Sequence, residues 1–505
     1  MPDRPPQAPV HQDDVLDRVV EAFGDGPDGI VRVDRYVLFV PEVIPGERVR
    51  VVVTSAARKY GRAELLEVLE PSPDRVEPRC PHYHECGGCQ LQHLAHPAQL
   101  REKSERLGRM LAHALDVDVS SLPMRPMLGP VEPWEQRTKL VLHFAERDGG
   151  LDAGFFSRRS RDVVGIEVCP IQDPLALKVG LAVRDGAHAA GLTVFDERDR
   201  RGHLRAAVVR AARATSQAHA TIVVQSPRGL PGLAPVIEAL RAAGATGASL
   251  NLNDGPPEQL LGERYDALFG SPWVEDEVEG LRFRSSPGAF FQTSHFGVTT
   301  LVREVRRILH DVPSDARVAD LYCGGGLFAL ALAKMAGRVF GIEDSAQAID
   351  DAMASAAANG IENVHFRAGL VERLMSNLAR SRDKPFAVIL DPPRAGCVSR
   401  VLHGVANELQ PVRIVYVSCE PSTLARDLAR LVPLGYAITE ITPVDMFPHT
   451  SHLETIVVLE RRVRREDRTA RRLFERLREG GTRPDGVEPR SDPDTTVVDS
   501  RSGRA

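Results

Sequence analysis

Between residues 16 and 70 the apolar positions come in short bursts separated by turn residues. Gly29-Ile30-Val31-Arg32-Val33 and Tyr36-Val37-Leu38-Phe39-Val40 read as strands, the second broken by Pro41. Residues 48–53 and 64–69 read as two more, with Pro45-Gly46 supplying a turn. Short strands so closely spaced predict a small β-barrel of OB type. An amphipathic helix is predicted over residues 96–114. Alternation returns from Gln136, where Arg137 and Lys139 flank Thr138 ahead of Leu140-Val141-Leu142, and Asp148-Gly149-Gly150 marks a hairpin. The pattern does not order the strands of this middle region.

From Gly288 the pattern becomes regular. Strands are predicted at 317–322, 338–342, 363–367, 386–390 and 412–417, alternating with helices at 327–335, 346–358, 371–379 and 398–409. A last helix from Ser422 is followed by strands at 436–441 and 453–459 with no helix between them. This is the signature of a doubly wound α/β sheet that ends on strands. The expected organisation is therefore a disordered lead (1–14), a barrel (15–72), a mixed α/β central domain (73–285), a Rossmann-like domain (286–462) and a charged tail (463–505). In that tail a helix is predicted to persist to about Leu477, with the last residues disordered.

Composition changes this picture in three places. A chain of 505 residues is too long for one core. It holds no long apolar run and no leader pattern, so a cytoplasmic protein with no membrane contact is expected, read here as a monomer. A formal net charge of -5 gives no global signature of nucleic-acid binding, so a polyanion must be held by a local patch. Arg158, Arg159, Arg161, Arg198, Arg200, Arg201, Arg205, Arg210 and Arg213 supply candidates, with a solvated charged face as the alternative. Seven cysteines without a secretion signal point to metal or catalytic roles rather than disulfides.

Two predicted strands end in chemistry. Val412-Arg413-Ile414-Val415-Tyr416-Val417 runs into Ser418-Cys419-Glu420-Pro421, and Phe386-Ala387-Val388-Ile389-Leu390 runs into Asp391-Pro392-Pro393-Arg394. In open α/β sheets ligands sit at the carboxyl ends of the strands, so a thiol and an acid delivered to one rim predict an active site. Asp320-Leu321-Tyr322-Cys323-Gly324-Gly325-Gly326 is a strand entering a glycine loop, and Glu343 closes the next strand, where an acid binds ribose hydroxyls. Dinucleotide enzymes share that loop. Its late place in the chain, and Asp391-Pro392-Pro393, favour S-adenosylmethionine. Upstream, Cys80, Cys86 and Cys89 lie in a glycine-containing loop, and Cys169 is the plausible fourth ligand. Four thiols fit an iron–sulfur cluster or a structural zinc, and spacing leaves the two open.

With these residues assembled, residues 15–462 resemble the RNA uracil-5-methyltransferases, in the branch that carries a TRAM barrel and a [4Fe-4S] cluster. The motifs that carry the resemblance are CPHYHECGGCQLQH, FFQTS, DLYCGGG, DPPRAG, VSCEPSTLARDL and HLETIVVLER. The resemblance implies Cys419 as nucleophile and Glu454 as general base. It implies S-adenosylmethionine bound by Gln292, Tyr322, Glu343 and Asp391, and a cluster held by Cys80, Cys86, Cys89 and Cys169. Leu327 and Gly369 stand where family members carry Asn, so neither is assigned to the cofactor.

Thiolate addition at C6 of uracil makes C5 nucleophilic, and a base must later remove the C5 proton. The helix beginning near Ser422 is expected to lower the Cys419 pKa through its dipole. The implied partner is ribosomal or transfer RNA, with the target base extruded into the pocket. Cys323 and Cys397 are rival nucleophiles by location. An RNA cytosine-5-methyltransferase, which typically carries a cysteine where Arg394 stands, is the nearest enzymatic alternative. A nicotinamide oxidoreductase and a non-catalytic RNA-binding protein are the others.

Overall fold

Alternation in Arg48–Ala56 buries Val49, Val51 and Val53 completely, and with Val31, Leu38, Val40 and Ala63 they fill a small barrel. Residues 8–147, 149–380, 384–462 and 495–498 are described by the computed structural model of the chain. The barrel is closed by one bent segment: Val15–Val19 pairs with Arg48–Ala56, and Ala22–Phe23 pairs with Gly29–Val33. Tyr36–Val40 then pairs in parallel with Tyr60–Glu70, which returns antiparallel to Arg48–Ala56. Counting the bent segment as one strand, the ring runs first-second-third-fifth-fourth, the Greek-key order of an OB barrel. The pattern missed that first strand because Val15–Val19 shows its side chains largely to solvent. The expected disorder at 1–14 is corrected in part. Val10 is buried in the barrel core, while residues 1–7 lie outside the described residues.

The central sheet has seven strands, in the order Val163–Gly165, Gly150–Phe156, Lys139–Arg147, Leu204–Ala212, Gln217–Val224, Gly247–Leu252 and Arg264–Gly270. Helices Pro174–Ala189 and Ala234–Ala243 cover one face, packing on Leu140, Leu142, Val209 and Ile222. The opposite face is mixed: Ala206, Val208 and Val223 pack under Leu260 and Leu261, while Lys139 and His143 line a cleft shared with the barrel.

The C-terminal sheet begins with five parallel strands in the order Val364–Ala368, Arg338–Glu343, Arg317–Leu321, Ala387–Leu390 and Arg413–Ser418. Glu454–Arg461 and Tyr436–Val444 extend it antiparallel. Strand order reverses between Arg317–Leu321 and Ala387–Leu390, which opens a crevice at their carboxyl ends. Two structural additions were not legible in the pattern. Met127–Pro130 joins this sheet beside Tyr436–Val444, and helix His96–Leu115 packs Leu100, Leu107 and Leu111 into the core of the same sheet. Residues 96–130 thus build on the C-terminal sheet rather than on the central one, across the division expected at 285. Thr495–Val498 pairs with Met127–Pro130, a correction to the disorder expected there. The remainder of the tail, including the helix expected up to about Leu477, lies outside the described residues. Among the described residues no helix is long and apolar enough to cross a membrane.

Candidate active site

Four of the five parallel strands of the C-terminal sheet hand ionisable groups to the crevice. Arg317–Leu321 carries Asp320 and leads to Tyr322, Arg338–Glu343 ends on Glu343, Ala387–Leu390 leads to Asp391, and Arg413–Ser418 leads to Cys419. Glu454 arrives from the antiparallel neighbour. Ser418 is level with Thr455, so one further step along the register brings Cys419 level with Glu454. Both faces here are buried, Val415, Val417 and Ile456 in one core and Ile414, Tyr416 and Val457 in the other, so a one-residue slip would exchange the side chains of two packed cores.

The glycine loop after Leu321 turns tightly. Tyr322, Gly324 and Gly326 all have positive φ (68°, 51° and 81°), and a Cβ at Gly326 would lie 2.8 Å from Phe366. Glu343 ties this loop to the next helix: its carboxylate accepts from the backbone N–H of Gly324 at 3.1 Å and of Ser345 at 3.0 Å. Gln292 donates to Asp391 at 3.4 Å, so the segment preceding helix His295–Ile308 reaches the same rim. Burial and the Cys397 thiol raise the Tyr322 phenol. Gln292, Tyr322, Glu343, Asp391, Cys419 and Glu454 therefore share one crevice. Leu327 is buried as the first residue of its helix, and the N–H of Gly369 donates to the Glu343 carbonyl at 2.7 Å.

The crevice is acidic, and its carboxylates are withdrawn from solvent to different degrees. Burial pushes Asp391 up to about 7, with the Glu343 charge adding to it and the Gln292 hydrogen bond opposing. Burial, Asp391 and Glu343 push Asp320 up to about 8. Asp320 is fully buried; one carboxylate oxygen accepts from the Ala329 N–H at 2.9 Å and the other has no partner. Burial, reinforced by Asp391, raises Glu454 well above the ordinary carboxylate range, against the pull of Arg394. The Cys419 thiol is raised to about 11 by burial and by the charges of Glu454 and Asp391, while Arg394 opposes. The lowering expected from helix Pro421–Leu431 is thus overturned, because burial and two carboxylates outweigh a helix dipole. A proton on Glu454 removes one of those carboxylate charges.

The rival thiols are placed elsewhere. Cys397 is packed in the core with its backbone N–H on Asp427 at 2.8 Å, and burial raises its thiol to about 12. Cys323 is buried under the glycine loop, 2.9 Å from where a Cβ on Gly341 would stand. Of the three, Cys419 alone is partly exposed.

Two groups at the rim were missed as site residues. Asp320 is a charge in an otherwise apolar strand, a signal present in the sequence. Arg394 follows the double proline and acts electrostatically on both Cys419 and Glu454. Behind the rim lies a network that no local pattern reveals. Lys103 donates to Asp445 at 2.7 Å, His96 lies 3.0 Å from the same carboxylate, and Asp445 is held down to about 2: burial opposes that, and Lys103 and His96 outweigh it.

Cys80, Cys86, Cys89 and Cys169 line a second opening, a cleft of about 1310 Å³ between the barrel, the cysteine loop and the mixed face of the central sheet. Burial raises Cys89 to about 11 and Cys169 to about 12, and Cys86, Cys89 and Cys169 each also feel other thiols of the set. Among the described residues, no group of three or more His, Cys, Asp or Glu side chains stands ready to hold a metal ion. Arg158 braces the loop: it pairs with Glu42 of the barrel and donates to the Tyr83 carbonyl at 2.8 Å. The arginines expected to track a phosphate backbone are largely engaged within the fold. Arg205 donates to the Asn253 and Gly255 carbonyls and to Glu197, and Arg213 pairs with Glu135.

Comparison with known proteins fits this geometry. The family model described as tRNA (Uracil-5-)-methyltransferase matches residues 277–462, and the TRAM domain matches residues 18–66. An uncharacterised RNA methyltransferase of Halalkalibacterium halodurans is 35% identical over 456 residues, covering 90% of this chain and 98% of the relative. One from Oceanobacillus iheyensis is 34% identical over 454 residues, covering 89% and 97%. The fold is shared with the crystal structure of the Pyrococcus abyssi tRNA (uracil-54, C5)-methyltransferase in complex with S-adenosyl-L-homocysteine. That likeness has a TM-score of 0.70 and 24% identity, and covers 88% of this chain and 99% of the other.

Proposed function

The chain belongs to the RNA (uracil-5-)methyltransferase family, enzymes that use S-adenosylmethionine, and from that premise we propose that it methylates C5 of one uridine in ribosomal or transfer RNA through a covalent adduct on Cys419. The observation that carries this reading is the register that sets a partly exposed Cys419 beside a buried Glu454. Cys419 gives up its proton to solvent and adds as the thiolate to C6 of the uracil; the C5=C6 electron pair moves onto C5 and the O4 carbonyl as an enolate. Glu454 then removes the C5 proton after methylation, so that the thiolate leaves and aromaticity returns. A carboxyl raised by burial is a stronger base than an ordinary one, which suits that step. Arg394 stabilises negative charge on both groups.

S-adenosylmethionine, when bound, supplies an electrophilic methyl group on a sulfonium. Gln292, Tyr322, Glu343 and Asp391 would hold it in the crevice. The fit is electrostatic as well as spatial: the crevice is lined with carboxylates, including an Asp320 oxygen with no partner, and the ligand carries a cationic centre.

Cys80, Cys86, Cys89 and Cys169 are proposed to hold a [4Fe-4S] cluster, supported by their shared cleft and mutual electrostatic influence. Anaerobically purified protein should then contain about four iron per chain. Zinc without iron would replace the cluster with a structural metal.

The decisive experiment separates the two catalytic residues by where the reaction stalls. Cys419→Ala should bind RNA and transfer no methyl group. Glu454→Gln should accumulate a methylated, covalently linked protein–RNA species, seen as a shifted band on a denaturing gel. Full activity in Cys419→Ala, or an adduct that disappears only in Cys397→Ala, would end this mechanism and favour the cytosine-type chemistry.

A further inference from the structure

Most cations lining the cleft beside the cysteine loop already have acids. Arg158 pairs with Glu42, Arg159 with Asp28 at 3.1 Å, and Arg147 with Asp152 at 3.5 Å. Two are different. Among the described residues Arg137 has no acid partner, and it lays its guanidinium 4.7 Å over the Phe447 ring. Lys139 lines the same cleft, and among the described residues no carboxylate, hydroxyl or carbonyl accepts from its ammonium. Directly across the register on the next strand stands Arg210, a second cation. Arg210 is buried, and its guanidinium donates only to two backbone carbonyls, Phe291 at 3.5 Å and Ala289 at 3.4 Å. Burial, and then the Arg210 charge, lower the Lys139 ammonium to about 8.

Arg210 is buried and Lys139 half-buried; neither is bonded to an acid, although the Asp351 charge acts on Arg210, and two adjacent cations so placed oppose folding. An apolar side chain at 139 would pack against Val141 and the strand with no such cost. The arrangement gains free energy only when an anion enters the cleft. The opening is large enough for a nucleic-acid backbone, and phosphate is the anion that an RNA presents at every residue.

We propose that Lys139, backed by Arg210, forms a phosphate subsite that seats the backbone of the RNA substrate in the cleft between barrel and central sheet. The inference rests on the RNA-methylating function proposed above. It also gives the subsite a positioning role. The strand that carries Lys139 is tied to the segment bearing Gln292: Thr138 N–H donates to the Thr293 carbonyl at 2.9 Å, and His295 N–H donates to the Gln136 carbonyl at 3.1 Å. Arg210 holds two further carbonyls of that segment. A phosphate on Lys139 fixes RNA against the element that reaches Asp391.

The test is equilibrium binding of bulk transfer RNA and bulk ribosomal RNA to the full chain without S-adenosylmethionine, over a salt series. Lys139→Met should weaken the RNA that wild type binds by about tenfold and reduce the salt slope by about one. Lys139→Arg should restore both. S-adenosylmethionine affinity and melting temperature of Lys139→Met should not fall, which separates a binding role from a structural one. Unchanged RNA affinity and slope in Lys139→Met overturn the subsite, as does a wild type that binds neither RNA. Inorganic phosphate that raises the melting temperature through Lys139 while the RNA slope stays unchanged makes it a small-anion site and overturns the RNA assignment. The proposed function fails on a different result: RNA bound normally, with no uridine modified.

Discussion

The rim of the C-terminal sheet and the mixed face of the central sheet each collect buried and half-buried groups of like charge, the first acidic and the second basic. At the rim, Asp320, Asp391 and Glu454 are all driven toward their protonated forms. At the central sheet, Lys139 and Arg210 are driven toward losing a proton, to about 8 and about 10, in each case mainly by burial. Neither set is neutralised within its own wall. Elsewhere the chain resolves buried charge in the ordinary way, by pairing: Lys103 with Asp445, and Arg75 with Glu47. The difference marks where a ligand is expected. A paired buried charge serves the fold, whereas a desolvated set of one sign becomes favourable only when a ligand of the opposite sign arrives. The acidic rim suits a sulfonium and the basic face suits a phosphodiester.

The sharpest way to break this comparison is to treat the paired and unpaired lysines alike. Lys103→Met leaves the buried Asp445 without its ammonium partner, and should cost about 3–5 kcal/mol of stability. The same replacement at Lys139 should cost nothing by urea denaturation. Equal losses at both positions would erase the distinction.

The acidic rim makes a pH prediction of intermediate size. A carboxyl whose folded pKa is raised binds more protons folded than unfolded between its two pKa values. Stability therefore falls as pH rises through that window. For Asp320 the window runs from the ordinary carboxylate value, 3.8, to about 8. Asp320→Asn should flatten this dependence, raising the melting temperature at pH 8 relative to wild type and leaving pH 4 nearly unchanged. A slope that is unaltered by the replacement would remove Asp320 from the coupled set. S-adenosylmethionine should also bind with proton release, measurable as a buffer-dependent heat in calorimetry.

The smallest expected effect is at Glu343, which combines a structural and a binding role. Glu343→Ala frees the N–H groups of Gly324 and Ser345 and removes a predicted ribose partner. It should weaken S-adenosylmethionine by about 1–3 kcal/mol, read by titration calorimetry, while RNA affinity stays as in wild type. A loss of RNA affinity instead would show that the two walls are not separable.

Much of this protein was determined by local sequence. Strand and helix boundaries in 317–418 follow directly from apolar runs of fixed period ending in Gly, Pro or a cap such as Ser345, because backbone geometry ties each period to one element. Glu343, Asp391 and Cys419 at the rim were legible for the same reason: strands of a parallel sheet all deliver their last side chains to one edge. Gln292 and Glu454, which lie on no parallel strand, came from the family resemblance. What the sequence alone left open depended on contacts between distant segments. That His96–Leu115 and Met127–Pro130 belong with a sheet more than two hundred residues downstream follows from the long-range pairing Met127–Pro130 makes and from the core it closes. The sign of the Cys419 shift was settled by the carboxylates of Glu454 and Asp391, which arrive from other strands, against a helix dipole that is local. The isolation of Lys139 required knowing what faces it. A motif lists groups along a chain, but pKa and ligand preference follow from desolvation and from the charges within a few ångströms, and only folding decides which those are.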